Sequence, residues 1–409
     1  MLHFKHVHRL KQWRTVGLVL AALVVFGGVG YLAYQWWLHP TTATQQQTTA
    51  VQKPVPKVTS LESKMLVMGD VYWGRYINDW STASPLKYAY PFSRLSEFDR
   101  SKYDAWFADM ECPLTNNPKV SSAVEDSTLQ FDCSPAYLSE AKQWFTGFTL
   151  ANNHSDNQDA AGFTETKQHL DENGIQYFGS YDPEDYQNLC DVIAVPAHVA
   201  MSDGTTKQGK LPMVWCGYHG VFRTPSAESI AVMGKYSPLF NVVAMPHSGA
   251  EYKPAPDQIK TTLYRALIDG GADVVLGDHP HWVQSSEAYK GKLIVYSMGN
   301  FIFDQQFSLE VTRSAVVNMN VSVDAASASD IEKWLALGET CGSYADDCLQ
   351  KATDQGLKKL PLQYHFSILG SRDDGKLVHK ATEAELASIK QRMNWGVTIK
   401  GLSGASSGE

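Results

Sequence analysis

The sequence predicts an α/β fold, and three features carry that prediction. Short apolar runs recur along the chain at Met65–Met68, Ala105–Ala108, Phe148–Leu150, Met213–Cys216, Val242–Met245, Val274–Leu276 and Leu293–Tyr296. Helical patterns alternate with them, at Thr164–Asn173 before Gly174 and at Asp257–Asp269 before Gly270-Gly271. Strand-then-helix alternation of this kind favours an α/β architecture. Third, most of the runs end in polar residues, and the carboxyl ends of strands are where such folds carry their sites.

Taken in order, residues 1–15 form a basic segment with Lys5, Arg9, Lys11 and Arg14 and no acid. Its His3, His6 and His8 belong to that basic, orienting segment. Residues 16–38 contain no charged residue and read as a transmembrane helix, since at about 1.5 Å per residue they span a bilayer core of about 30 Å. Trp36 and Trp37 fit an interfacial aromatic belt. The run is longer than a signal-peptide core and no small-x-small site follows it, which favours an uncleaved anchor over a cleaved signal. The positive-inside rule places the N-terminus in the cytoplasm and the main domain outside, as a single-pass protein of the cell membrane. Residues 39–60 read as a flexible linker rich in Thr, Gln, Pro and Val, 61–395 as one large domain, and 396–409 as a flexible tail, Gly/Ser-rich from Gly401.

Lys and Arg number 35 against 43 Asp and Glu. Four of those basic residues precede the apolar run, so the rest of the chain carries a net charge near −12. That balance argues against nucleic acid as a partner. The six cysteines all follow the apolar run, and an even number beyond a membrane is compatible with disulfides. Cys341 and Cys348 enclose a short polar loop and form the easiest pair to propose; the remaining pairing stays open.

The strand ends deliver Asp70, Glu111, Asn153 with His154, His247, and His279 with His281. Carboxylate, amide oxygen and imidazole are ligands that Zn, Mn or Fe accept. Any one of them alone reads as a cap, a turn or a structural residue. Their joint recurrence at five strand ends points to a divalent-metal site of unspecified identity and number. Ser297, in a YSMGN turn with no GxSxG elbow, reads as a turn hydroxyl rather than a nucleophile.

Six motifs then resemble one family in order and spacing. Gly69-Asp70-Val71-Tyr72-Trp73-Gly74-Arg75 resembles GDxxxGR, Ala108-Asp109-Met110-Glu111-Cys112-Pro113-Leu114-Thr115 resembles NLExPLT, and Leu150-Ala151-Asn152-Asn153-His154 resembles LANNH. His247-Ser248-Gly249-Ala250-Glu251-Tyr252 resembles HWGxEY, Gly277-Asp278-His279-Pro280-His281 resembles GxHPH, and Tyr296-Ser297-Met298-Gly299-Asn300-Phe301 resembles YSLGNF. The sequence is thus similar to bacterial CapA-type capsule or poly-γ-glutamate synthesis proteins, from about Met65 to about Asp304. The resemblance implies a calcineurin-like metallophosphoesterase fold, a four-layer α/β/β/α sandwich.

The resemblance also implies roles. Asp70, Glu111, Asn153, His247, His279 and His281 match metal-ligand positions. His154 matches the residue that contacts a phosphoryl oxygen or protonates a leaving group. Arg75 is a candidate catalytic anion clamp, and Arg75, Glu251 and Asn300 are candidate substrate contacts. Three departures stand out: Tyr72 occupies the place of a metallophosphoesterase ligand histidine, Ser248 that of a tryptophan, and Asn157 and Asp159 those of Asp and Gly. Tyr72 leaves one metal position short of a ligand.

The implied function is capsule or polymer biosynthesis at the outer face of the membrane, through a hydrolase-like site that handles an anionic polymer or its precursor. Membrane polymer-synthetase subunits are candidate partners. The alternatives are a metal-dependent phosphoesterase acting on a nucleotide or cell-envelope phosphate, and a non-catalytic module of a synthesis or export complex.

Overall fold

The computed structural model describes residues 55–341, 345–403 and Tyr34. The fold and the site belong to the unit Pro56–Glu409. The expected membrane span at 16–38 falls outside the described residues apart from Tyr34, and no described helix is long and apolar enough to cross a membrane.

Fourteen strands lie among the described residues of the unit. They are β1 (Val58–Val71), β2 (Ala105–Met110), β3 (Gly147–Thr149), β4 (Gln176–Phe178), β5 (Cys190–Met201), β6 (Thr206–Gly220), β7 (Val242–Ser248), β8 (Val274–Leu276), β9 (Ser286–Tyr289), β10 (Lys292–Val295), β11 (Asn300–Ile302), β12 (Arg313–Val323), β13 (Gln363–Arg372) and β14 (His379–Lys380). The main path runs β14-β13-β12-β1-β5-β6-β7-β8-β10-β9, while β2, β3, β4 and β11 branch from β1. The α/β class is as expected, with a mixed sheet: β1 is antiparallel to β5 and β12 yet parallel to β2 and β11.

The strand period of two explains the core. Met65 and Val67 of β1, with Ala105 and Phe107 of β2, enter one hydrophobic cluster. Leu66, Met68, Trp106, Ala108 and Met110 enter another. A sheet apolar on both faces must be covered on both, which is why these strands read as near-continuous apolar runs. The first cluster continues through β5 to β8, β10 and β12 and includes Trp215, fully buried with its ring 4.0 Å from that of Phe107. Truncating so large a buried ring to alanine costs about 3–5 kcal/mol.

Helix ends follow local chemistry. Asp257 caps Gln258–Asp269 by accepting the Lys260 N–H at 2.8 Å. Gly174 closes Asp159–Asn173 in the left-handed region, φ 69°. The expected linker ends early, because Val58 to Ser60 already belong to β1, where Val58 and Ser60 pair with Met201 and Ala200. The expected tail from residue 396 is corrected in part, since Trp395–Gly401 is a helix. It docks on β9, with the Ser286 hydroxyl donating to Thr398 Oγ1 (2.9 Å) and Trp395 buried. Those tertiary contacts outweigh the two glycines that weaken the segment's own helix propensity. Cys341–Cys348 is paired as expected, and Cys112–Cys133 and Cys190–Cys216 complete the set.

Parallel pairing brings the strand ends together. Asp70 lies in register with Asp109 and Asn300, and Asp109 with Thr149. On the other branch β6, β7, β8 and β10 are parallel, and His247 bridges to Asp278. Both sets of carboxyl ends meet in one place.

Candidate metal centre

The backbone is forced into position around the strand ends. A Cβ on Gly69 would collide with the Gly299 carbonyl, so only glycine lets β1 and the Ser297–Asn300 turn approach. Ser297 Oγ accepts the Gly299 N–H (3.3 Å), the turn role expected of it. His279 and His281 both have positive φ, 90° and 56°. Two non-glycine residues in that region cost of order 1–3 kcal/mol each, and such strain gathers at functional sites. The strained turn, rather than simple strand alternation, aims the two imidazoles.

Around His247 the expected residues converge. Its Nδ1 donates to Asp109 Oδ2 at 2.7 Å, so its Nε2 carries the lone pair in the neutral ring. That Nε2 faces Asn153 Oδ1 at 2.8 Å, His279 Nδ1 at 3.1 Å and Glu111 Oε1 at 3.8 Å. His279 Nδ1 can share a proton with that lone pair, but the oxygens of Asn153 and Glu111 cannot, and their approach is repulsive unless a cation lies among them. His281 repeats the pattern: its Nδ1 donates toward Asn300 Oδ1 (2.8 Å) and Asp70 Oδ2 (3.1 Å), and its Nε2 lies 3.9 Å from Glu111 Oε1.

Two groups able to hold a metal ion therefore share one carboxylate, Glu111 with His247 and His279, and Glu111 with Asp70 and His281. Asp70, Asp109 and His247 form a third such group, and Glu251, His279 and His281 a fourth. Both Glu111 oxygens and Asp70 Oδ1 are buried with no hydrogen-bond partner. An orphaned buried carboxylate carries a heavy desolvation cost. A divalent cation is the group that fits this donor set.

Electrostatics agrees. Burial, then the charges of Asp70, Asp109 and Glu251, push Glu111 well above the usual carboxylate range. Burial raises Asp109 to about 7, and burial with Asp70 and Asp109 raises Asp278 strongly. Burial holds His247 and His279 well below the usual imidazole range. For His281 burial acts downward, but the Asp70 hydrogen bond and charge outweigh it and the net shift is upward.

Asp109 and Asp278 were missed as site residues by sequence reasoning. Asp109 lies in the last residues of β2, two before Glu111, and Asp278 directly precedes His279. Lys260 was missed as well: it is buried, pulled down to about 7 by burial, and donates from Nζ to Ser248 O (2.8 Å) and Asp278 O (3.3 Å) behind the histidines. No sequence signal separates it from an ordinary helix lysine.

Four expectations are revised or sharpened. Arg75 does not offer a free clamp, because its Nε and Nη2 bond Asp304 bidentately (2.9 and 2.7 Å) and its Nη1 reaches Asp126 (3.3 Å). Asn300 is turned inward: its oxygen receives His281, and its amide nitrogen donates to Val311 O (3.0 Å) and Gln305 Oε1 (3.1 Å), so it orients a histidine instead of meeting substrate. Tyr72 is fully buried between Phe131 and Phe303, its hydroxyl donating to Glu125 Oε2 at 3.3 Å, away from the ligand cluster. Glu251 is exposed at the mouth.

His154 sits between cluster and cleft. Asn157 Oδ1 already accepts the Phe131 N–H (2.8 Å), and it accepts His154 Nδ1–H at 2.9 Å. His154 Nε2 is thereby left as a proton acceptor, 3.8 Å from Glu111 Oε1. Burial holds the ring down to about 3, and Phe131 stacks on it at 3.9 Å. The disulfide Cys112–Cys133 ties Glu111's neighbour to the Phe131 segment. The cleft outside has a volume of about 300 Å³ and is lined by Arg75, His154, His281 and several aromatic side chains.

The fold and site define the class as a mixed α/β protein whose strand ends gather carboxylates and histidines able to hold a metal ion. The sequence comparison is more specific: residues 64–305 match the family described as bacterial capsule synthesis protein PGA_cap, and the chain belongs to that family. Relatives include the "Capsule biosynthesis protein CapA" of Bacillus anthracis, 26% identical over 309 residues that cover 71% of each chain. The "PGA biosynthesis protein CapA" of Bacillus subtilis (strain 168) is 28% identical over 273 residues, 61% of this chain and 66% of that one. Among solved structures, a phosphatase from Mycoplasma pneumoniae aligns over 80% of this chain and 96% of its own with TM-score 0.36 and 11% identity. TT1561 of Thermus thermophilus aligns over 65% and 96% with TM-score 0.31 and 11% identity.

Proposed function

We propose that this chain is a metal-dependent hydrolase of capsule-polymer biosynthesis, acting outside the membrane on an anionic polymer or its precursor. The observation that carries the proposal is the buried Glu111, whose two unpartnered oxygens sit between two histidine-containing ligand groups. Asp70, Glu111 and His281 would hold one ion and Glu111, Asn153, His247 and His279 another, in a four-layer metallophosphoesterase-like sandwich. When bound, a divalent ion supplies Lewis-acid polarisation of the electrophile and a more acidic water. The single-pass anchor at 16–38 and association with membrane polymer-synthetase subunits belong to the same proposal.

The chain's own residues do the rest. Asp109 and Asn300 fix the tautomers of His247 and His281 and so aim their Nε2 lone pairs. His154, kept neutral by burial, presents Nε2 as a hydrogen-bond and proton acceptor at the cleft floor, and Phe131 keeps water from its face. A non-catalytic module is the second reading, favoured by Tyr72, which adds no ligand to the Asp70 group.

The test is a screen of the metal-loaded protein against phosphoesters and γ-glutamyl peptides. Turnover of either class that vanishes in Glu111→Gln supports hydrolysis. Metal uptake without turnover of any member supports the module.

A further inference from the structure

Arg75 is the cation on the cleft wall among the lining residues, and its guanidinium is committed to Asp304 and Asp126. The remaining charged wall groups are acids, with Glu251 joining those two. A polyanionic chain entering here would meet like charge on every charged residue not already neutralised, and like-charge juxtaposition costs several kcal/mol.

The other walls are apolar rings. Phe131 lies under Arg75 (4.6 Å) and His154, and Phe303 packs on His281 at 4.9 Å. Tyr252 stacks over His281 at 5.9 Å and meets Phe307 edge-on at 5.2 Å. Phe307 is 66% exposed and Leu129 53%, large apolar side chains left open at the mouth of a polar centre. Exposed apolar surface continuous with a site marks ligand contact.

We propose that the cleft takes a substrate with one anionic group, received at the ligand cluster, on an uncharged ring-bearing body that stacks on Tyr252 and Phe307. The body presents an apolar ring face, glycosyl or aryl, and a second charge on it is rejected by Asp126 and Glu251. This rests on the metal-centre reading, and within it favours a precursor ester over the polyanionic polymer as the group bound in the cleft.

The test is equilibrium binding of phosphonates to the purified Mn²⁺-loaded protein by calorimetry, with Mn²⁺ uptake measured separately. Phenylphosphonate and a C-glucosyl phosphonate supply the two ring sources, methylphosphonate lacks a ring, and phosphonoacetate adds a charge. At least one ring phosphonate is expected to bind about 10-fold tighter than methylphosphonate, since one aromatic stack is worth about 0.5–1.5 kcal/mol beyond its buried area. Phosphonoacetate is expected to bind more weakly than methylphosphonate. Phe307→Ala, at an exposed position that leaves the fold intact, is expected to reduce the ring preference to about twofold or less with Mn²⁺ uptake unchanged. Tighter binding of phosphonoacetate or tri-γ-glutamate than of both ring phosphonates overturns the inference alone, as does an unchanged preference in Phe307→Ala. Absence of Mn²⁺ uptake overturns the metal-centre reading and this inference with it.

Discussion

Asp109→Asn changes one atom and tests whether the centre depends on an oriented histidine. Asp109 Oδ2 accepts His247 Nδ1–H at 2.7 Å, and its Oδ1 accepts Asn152 Nδ2–H at 2.8 Å. Asn152 cannot rotate to help, because its oxygen is already held by His154 N–H (3.1 Å) and Ser155 Oγ–H (3.0 Å). An amide at 109 must therefore turn its NH2 toward one of two donors. Facing Asn152, it buries an unsatisfied donor, at about 1–3 kcal/mol. Facing His247, it forces the ring proton onto Nε2 and removes the ligand lone pair. Either outcome weakens metal binding by about 10- to 100-fold, or about 1.4–2.8 kcal/mol. Competition against a fluorescent chelator gives the Zn²⁺ affinity, and a melt of the metal-free protein checks the fold. The metal-free melt reports the balance of two terms: losing one of the charges that push Glu111 upward raises Tm, and an unsatisfied donor facing Asn152 lowers it. A Zn²⁺ affinity within twofold of wild type, with an unchanged melt, would refute the orienting role.

The other predictions rest on the same burial and charge. Glu111→Gln should abolish uptake at both ligand groups while raising the metal-free Tm, since it removes a buried carboxylate with two orphaned oxygens; calorimetry and a thermal melt read both. Asp373 is buried and raised to about 7 by burial, so the native state holds a proton that the unfolded chain releases near 4, and stability falls as pH rises between those values. Asp373→Asn should remove that fall, on the order of 3 kcal/mol between pH 4.5 and pH 8, and an unchanged difference in Tm between those pH values would contradict it. Replacing Cys112 and Cys133 by alanine frees a loop of sequence separation 21, which is worth about 3 kcal/mol of unfolded-state entropy. Denaturant titration should show that loss together with weaker metal uptake, because the bridge anchors the residue beside Glu111.

Much of the site was legible because its residues lie at strand ends, where a period of two and a following glycine or Asn-Asn turn are visible in sequence. Asp70, Glu111, Asn153, His154, His247, His279 and His281 all meet within the same neighbourhood. What sequence could not supply was direction. Arg75 reads as a free cation until Asp304, 229 residues away, is found bonded to it. Asn300 reads as a substrate contact until its oxygen is seen on His281. Asp109 was overlooked two residues before Glu111, although it lies at the same strand end, β2 closing at Met110. The long partners β5, β12 and β13 were missed because their apolar runs, such as Val192–Val195 and Ala315–Val317, are short parts of strands whose length is set by pairing with β1, β6 and one another. The C-terminal helix was missed for the same kind of reason, since contacts with β9 decide it.

The central claim is that the Glu111 cluster holds a divalent ion. Crystals of the purified protein grown with millimolar Mn²⁺ and measured at the manganese absorption edge test it directly. The predicted result is an anomalous peak at ligand distance from a Glu111 oxygen and from His247 or His281 Nε2, lost in Glu111→Gln. Well-ordered side chains at Glu111, His247 and His281 with no anomalous peak among them would contradict the account.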